Sequence, residues 1–195
     1  MAQTEDRRVR RTKKAMYEAL ARLLSEKPLG AISVREIAEY ADINRGTFYL
    51  HYRDVYDMVE QLQGEIFEKF NDIVGKYEPK KDTDELFPLL VNLFDLLSEN
   101  AQLARVLIGK NGDAAFVDRL KKVIREKCFI NAQKTFGLPD DERFGYFYHF
   151  IVSGCIGIFG AWLSGGMKES SLEMARMTES FIMSGAAAAL PFSRS

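Results

Sequence analysis

Apolar residues recur along most of this chain every three or four positions, the spacing that lines one face of an α-helix, and no strictly alternating run bounded by turns suggests a strand. The pattern predicts an all-α fold. A first helix is expected over 9–26, with Met16, Leu20 and Leu23 inward and Lys27-Pro28-Leu29-Gly30 as its stop. Ser33-Val34-Arg35-Glu36 reads as a capping box, in which the hydroxyl and the carboxylate each satisfy a free backbone donor; Val34, Ile37, Ala38 and Ala41 then share one helix face. Asn44 caps a second short helix, with Ile43 and Phe48 at the two positions of a hydrophobic staple. A long helix over 54–77 carries Val55, Val59, Leu62, Ile66, Phe70, Ile73 and Tyr77 on its apolar face.

After a polar, Pro-containing link, the periodicity predicts helices over 86–99, 101–108 and 114–136. Pro88 falls in a first turn, where its missing N–H does no harm; Asp113 can cap the third helix, and Gly137 with Pro139 can end it. The helix over 141–164 is apolar nearly all round and carries a ridge of small residues, Gly154, Gly157, Gly160 and Ala161. Gly165-Gly166 stops it. A second capping box, Ser170 to Glu173, opens a last helix through Met174, Met177 and Phe181 to about residue 188. A helix with no polar face must be covered on all sides. An ordinary intramolecular core could cover these two helices, but the leading expectation is a symmetric subunit interface, and so a homodimer, built on Gly154, Gly157, Gly160, Ala161, Met174, Met177 and Phe181.

Charge changes the picture more than composition does. The 195 residues carry 27 Lys+Arg and 28 Asp+Glu, which excludes a polycation that coats nucleic acid. Residues 1–53, however, hold 11 basic and 7 acidic side chains, against 16 and 21 in the remainder. A basic quarter joined to an acidic body suggests that the first part meets an anion. It also sets the expected domains: 1–53, and 54–195, with 54–77 as the connecting helix. The N-terminus lacks the apolar core of a secretory signal, and the longest apolar run, 150–163, falls short of the roughly 20 residues that span a bilayer. The expectation is a cytoplasmic protein with no membrane partner. Cys128 and Cys155 lack metal or redox spacing and read as buried free thiols.

Residues 33–52 form two short helices joined by a tight turn, the pattern of a helix-turn-helix whose second helix enters the DNA major groove. If Phe48 and Tyr52 point inward, the opposite arc holds Gly46, Thr47, Tyr49 and Leu50, with His51 at its edge. Gly46 lets the backbone approach closely, Thr47 suits a thymine methyl or a hydrogen bond, and Tyr49 reaches phosphate. Arg45 and Arg35 are suited to guanine, while Ser33 and the amides around it are suited to phosphate.

The stretch Ile32-Ser33-Val34-Arg35-Glu36-Ile37-Ala38, continuing through Ala41-Asp42-Ile43-Asn44-Arg45-Gly46-Thr47-Phe48-Tyr49-Leu50-His51-Tyr52, resembles the DNA-binding domain of the TetR/AcrR family of bacterial transcription regulators. The resemblance implies a homodimer on a palindromic operator in double-stranded DNA, a four-helix interface from the last two helices, and a small-molecule effector in the C-terminal domain. It implies DNA contacts from Thr47, Tyr49 and His51, and base reading by Arg35 and Arg45. Where the family usually opens the long helix with a lysine, this chain has Val55, so Arg53 or the basic residues from Arg7 to Lys14 must supply the phosphate contact.

Phe87, Phe94, Tyr146, Phe147, His149 and Phe150 are the candidates to line an effector pocket, with Cys155 beside them, although aromatics at helical spacing are more often plain core. No triad, paired-carboxylate site, phosphate loop or metal-ligand spacing emerges, so neither an enzyme nor a cofactor is expected. The expected function is a ligand-modulated repressor. A second possibility is a co-regulator that acts through a protein partner or ligand without specific DNA binding, because residues 97–125 resemble a TetR-like subset that includes activators of dihydroxyacetone kinase genes.

Overall fold

The computed structural model describes residues 7–80, 86–108, 114–136, 138 and 140–189. Ten α-helices follow one another among them: α1 (Arg7–Glu26), α2 (Val34–Tyr40), α3 (Arg45–Tyr49), α4 (Val55–Gly75), α5 (Leu86–Glu99), α6 (Ala101–Ile108), α7 (Ala114–Ile124), α8 (Ile130–Phe136), α9 (Glu142–Ser164) and α10 (Ser171–Ala189). The fold class is all-α, as the periodicity requires. A single 3₁₀ turn, Leu29–Ala31, joins α1 to α2. The expected cap at Asp113 and the stop at Gly137 and Pro139 lie outside the described residues.

The stretch expected as one helix over 114–136 holds a π-helical segment, Arg125–Phe129, between α7 and α8. A π segment fits one more residue into the turns and so re-aims the side chains after it. Cys128 is thereby buried in the core shared with α4, while Phe129 stacks edge-on against Tyr148 of α9 at 4.9 Å between ring centroids. Burial pushes the Cys128 thiol up to about 12 and that of Cys155 up to about 11, so neither is a reactive thiolate at neutral pH.

One apolar core runs from α1 into the second half of the chain. Met16, Leu20, Leu23, Ile37, Phe48, Tyr52 and Val55 belong to the same buried cluster as Phe70, Leu93, Leu103 and Phe116. This cluster includes residues on both sides of positions 53 and 54. A second cluster joins α5, α9 and α10 around Phe94, Trp162, Leu163 and Met174, and a third lies beneath Phe144, Phe147 and Ile151.

The two sides of α9 are buried unequally. By length and composition this 23-residue helix could cross a membrane, because it extends several residues before the apolar run that begins at Phe150. One face packs inward through Phe144, Phe147, Tyr148, Ile151 and Val152. The opposite stripe, Tyr146, His149, Phe150, Ser153, Gly154, Gly157 and Ala161, is exposed. A Cβ added at Gly154, Gly157 or Gly160 would meet nothing within 4 Å, so this ridge of small residues packs against no helix of its own protomer among the described residues. On α10, Met177 and Phe181 are likewise exposed, at 41% and 56%. Met174 is the exception to the expected interface. It is 5% exposed and fills the second core, because it lies with Ala175 and Thr178 on the face of α10 turned toward α5.

Candidate nucleic-acid interface

The local chemistry of residues 27–57 holds two short helices in place. Neither α2, with seven residues, nor α3, with five, is long enough to be stable alone. The capping box of α2 forms as the sequence requires: Ser33 Oγ accepts from the Glu36 N–H at 3.3 Å, and Glu36 Oε2 accepts from the Ser33 N–H at 3.0 Å. Lys27 Nζ donates to the other Glu36 oxygen and ties the end of α1 to α2. Asp42 sits in the turn after α2 with φ +52°, a left-handed conformation that aspartate tolerates better than most side chains. Asn44 Oδ1 then accepts from the Gly46 N–H at 2.9 Å and opens α3.

Hydrogen bonds from Lys27 and then from Ser33 hold the Glu36 carboxyl down to about 2. A carboxyl whose folded value lies below its unfolded value, roughly 4.3, stabilises the fold above that value and stops doing so as the pH falls toward the folded one. The expected result is that Glu36→Gln lowers the urea midpoint at pH 7 and flattens its decline between about pH 4.3 and pH 2. An unchanged acid limb would show that Glu36 is not what couples this segment to pH.

Anchoring of α3 is aromatic. Phe48 is fully buried and Tyr52 2% exposed, and the Tyr52 hydroxyl shares a 2.9 Å hydrogen bond with that of Tyr17 on α1. With 48 and 52 inward, Arg45, Gly46, Tyr49 and Leu50 face outward, while Thr47 and His51 are half-buried at the edges. Leu50 keeps helical backbone angles and its N–H bonds to the Gly46 carbonyl, so the outward face continues for another turn. A Cβ at Gly46 would have only ordinary contact with Asn44, so the protomer itself has no steric need for glycine there.

The cations expected at this surface are not equivalent. Arg45 is exposed and has no ion-pair partner among the described residues. Arg35 is exposed but donates to Glu39 at 2.6 Å, and Arg53 donates to Asp57 through both its guanidinium and its backbone N–H. Both pairs are four residues apart, a spacing visible in the sequence although the expectation overlooked it. Ser33 was expected to offer donors to phosphate, yet its N–H and hydroxyl both go to Glu36. Val55, in the place of the usual lysine, is 4% exposed and part of the core, so the position contributes no charge. Arg7, Arg8, Arg10, Arg11 and Lys14 are exposed at the start of α1, whose first turn holds no acidic residue to offset the helix dipole.

The six residues expected to line one effector pocket are not brought together. Phe94 is fully buried edge-on to Phe159 and Trp162, Phe87 lies half-buried beneath Arg176, and Phe147 belongs to the separate third core. Tyr146 and Phe150 are 70% and 69% exposed, and His149 is exposed between them. The 3.6-residue period puts 146, 149 and 150 on the side of α9 opposite 144, 147 and 151, so all six could not share a cavity.

Residues 16–62 match the family model described as bacterial regulatory proteins, tetR family, and residues 84–184 match one described as a transcriptional regulator C-terminal region. A 45-residue stretch is 40% identical to the uncharacterized HTH-type transcriptional regulator YxbF of Bacillus subtilis (strain 168); the match covers 23% of this chain and only 12% of that protein. The fold resembles that of the fatty acid degradation regulator FadR from Bacillus halodurans, with a TM-score of 0.65 at 13% identity over 94% of this chain and 98% of that one. It also resembles the dihydroxyacetone kinase operon activator DhaS, with a TM-score of 0.56 at 16% identity over 92% and 98%. A helix-turn-helix mounted on a helical body, with two family models covering both halves, makes this chain a member of the TetR family of DNA-binding transcription regulators, and no enzyme.

Proposed function

We propose that this regulator binds a palindromic operator as a homodimer, represses transcription by occupying it, and releases it when a small apolar ligand enters the C-terminal domain. The observation that carries the DNA reading is the two-sided α3: Phe48 and Tyr52 buried, and Arg45, Gly46, Tyr49 and Leu50 outward. The exposed basic residues Arg7, Arg10, Arg11 and Lys14 at the start of α1 support it, since each phosphate neutralised there adds to affinity. Arg45 is the base-reading cation of this reading, Thr47, Tyr49 and His51 contact the backbone and groove edges, and Arg35 and Arg53 reach DNA only by leaving Glu39 and Asp57. The dimer is supported by the unpartnered ridge on α9 beside exposed Phe150, Met177 and Phe181. Ligand control is supported by Thr178, whose buried hydroxyl has no partner among the described residues on a helix that packs along α5. A buried unsatisfied hydroxyl is a site for a water or for the one polar group of an apolar ligand.

Selection from a random duplex library, at two salt concentrations, tests the reading. Enrichment of one inverted repeat is expected, with affinity falling as salt rises. Arg45→Ala should then cost about 1–3 kcal/mol and relax preference at one position of each half-site. An unchanged preference would remove Arg45 from base reading. The ion-paired Arg35 and Arg53 favour one second reading, a co-regulator that acts through a protein partner or ligand without specific DNA binding of its own. Failure to enrich any sequence at either salt would select it.

A further inference from the structure

Leu50 is 82% exposed, more than any other large apolar side chain described. A single exposed leucine is ordinary on a protein surface and by itself says nothing. Its placement says more. Leu50 lies one helical turn beyond Gly46 on the outward face of α3, and the two are linked by the Leu50 N–H to Gly46 carbonyl bond at 3.2 Å. Gly46 has no side chain to hold a partner away, so whatever approaches its backbone meets Leu50 next. Nearby Arg35 and Arg53 are tied to Glu39 and Asp57, which leaves Arg45 at the start of α3, the polar-tipped Tyr49, and Leu50 just past its end as the outward side chains, Leu50 being the aliphatic one.

We propose that Leu50 is a specificity-determining residue that reads a thymine C5-methyl group in each half-site. The inference rests on the DNA-binding reading above. In the major groove the base edges present hydrogen-bond donors and acceptors, and the thymine methyl is their one aliphatic group. A leucine buried against any other edge would strip water from a donor or acceptor without replacing its hydrogen bond, at a cost in affinity. Burial against the methyl removes apolar surface on both sides. Leu50 thus selects for thymine and against cytosine, adenine and guanine at one position, while Arg45 recognises a purine edge elsewhere.

The test uses the full-length protein and the duplex enriched from the random library, with each thymine replaced in turn by deoxyuridine, which pairs identically but lacks the methyl. At one thymine per half-site, the wild-type protein should bind the deoxyuridine duplex about fourfold more weakly, the worth of one buried methyl-sized group. Leu50→Ala, whose folding is checked by circular dichroism, should bind the two duplexes equally. Equal binding of both duplexes by the wild type at every thymine would overturn the inference while leaving the DNA reading intact. So would a preference that survives Leu50→Ala, which would assign the methyl to another side chain. If no duplex were enriched, the DNA-binding reading would fail and this inference with it.

Discussion

In the proposed dimer, replacing Phe150 with aspartate is expected to leave a folded monomer and to weaken binding to the proposed operator by about 10²–10⁴-fold. Phe150 is 69% exposed on the outer stripe of α9, so the protomer loses little core when it is changed. In a two-fold interface the substitution occurs twice, placing two unpaired carboxylates in an apolar contact, and each unpaired buried charge costs several kcal/mol. The loss in DNA affinity follows from geometry. Once one subunit of a dimer is bound, its partner meets the second half-site at high effective concentration, an advantage that separate monomers lack. Sedimentation or light scattering, read beside circular dichroism, measures the first effect, and a two-half-site binding titration measures the second. A variant that remained dimeric would place the interface elsewhere.

Phe48→Ala is expected to cost about 3–5 kcal/mol, the usual penalty for truncating a fully buried phenylalanine. Domains of this size have only about 5–15 kcal/mol of stability, so the variant should unfold at much lower urea and lose DNA binding. Phe48 packs edge-on to Tyr49 and against Tyr52, with Ile43 from the preceding turn beside it. It is the inward anchor of a five-residue helix whose outward residues are all solvent-facing. A cost below about 1 kcal/mol would mean that the cavity collapses and that Tyr52 alone can seat α3.

Much of the architecture was legible because it rests on local rules. Ser33 with Glu36, Asn44 with the Gly46 amide, and Ser170 with Glu173 make the capping bonds that their spacing requires. The bounds of α5 and α6 match those read from helical period, and Phe48 and Tyr52, assumed inward, are buried. Propensity and amphipathic spacing act within a few residues, so they survive whatever the rest of the chain does.

Other features depended on partners distant in the chain. That Glu36 would be taken by Lys27, that Met174 would face α5, and that Phe94 would meet Phe159 and Trp162 are consequences of how helices pack. The π segment at Arg125–Phe129 left no mark in the periodicity; in the fold it accompanies adjacent side chains that serve different neighbours, Cys128 in the core with α4 and Phe129 against Tyr148 of α9. The aromatic run on α9 carried a single signal, apolar all round, that could not distinguish a pocket lining from an interface. By itself the sequence determined the class of fold, the capping boxes and the helix-turn-helix motif. Only the tertiary structure decided which apolar face is used inside the protomer and which remains uncovered, because burial is a property of neighbours that periodicity does not name.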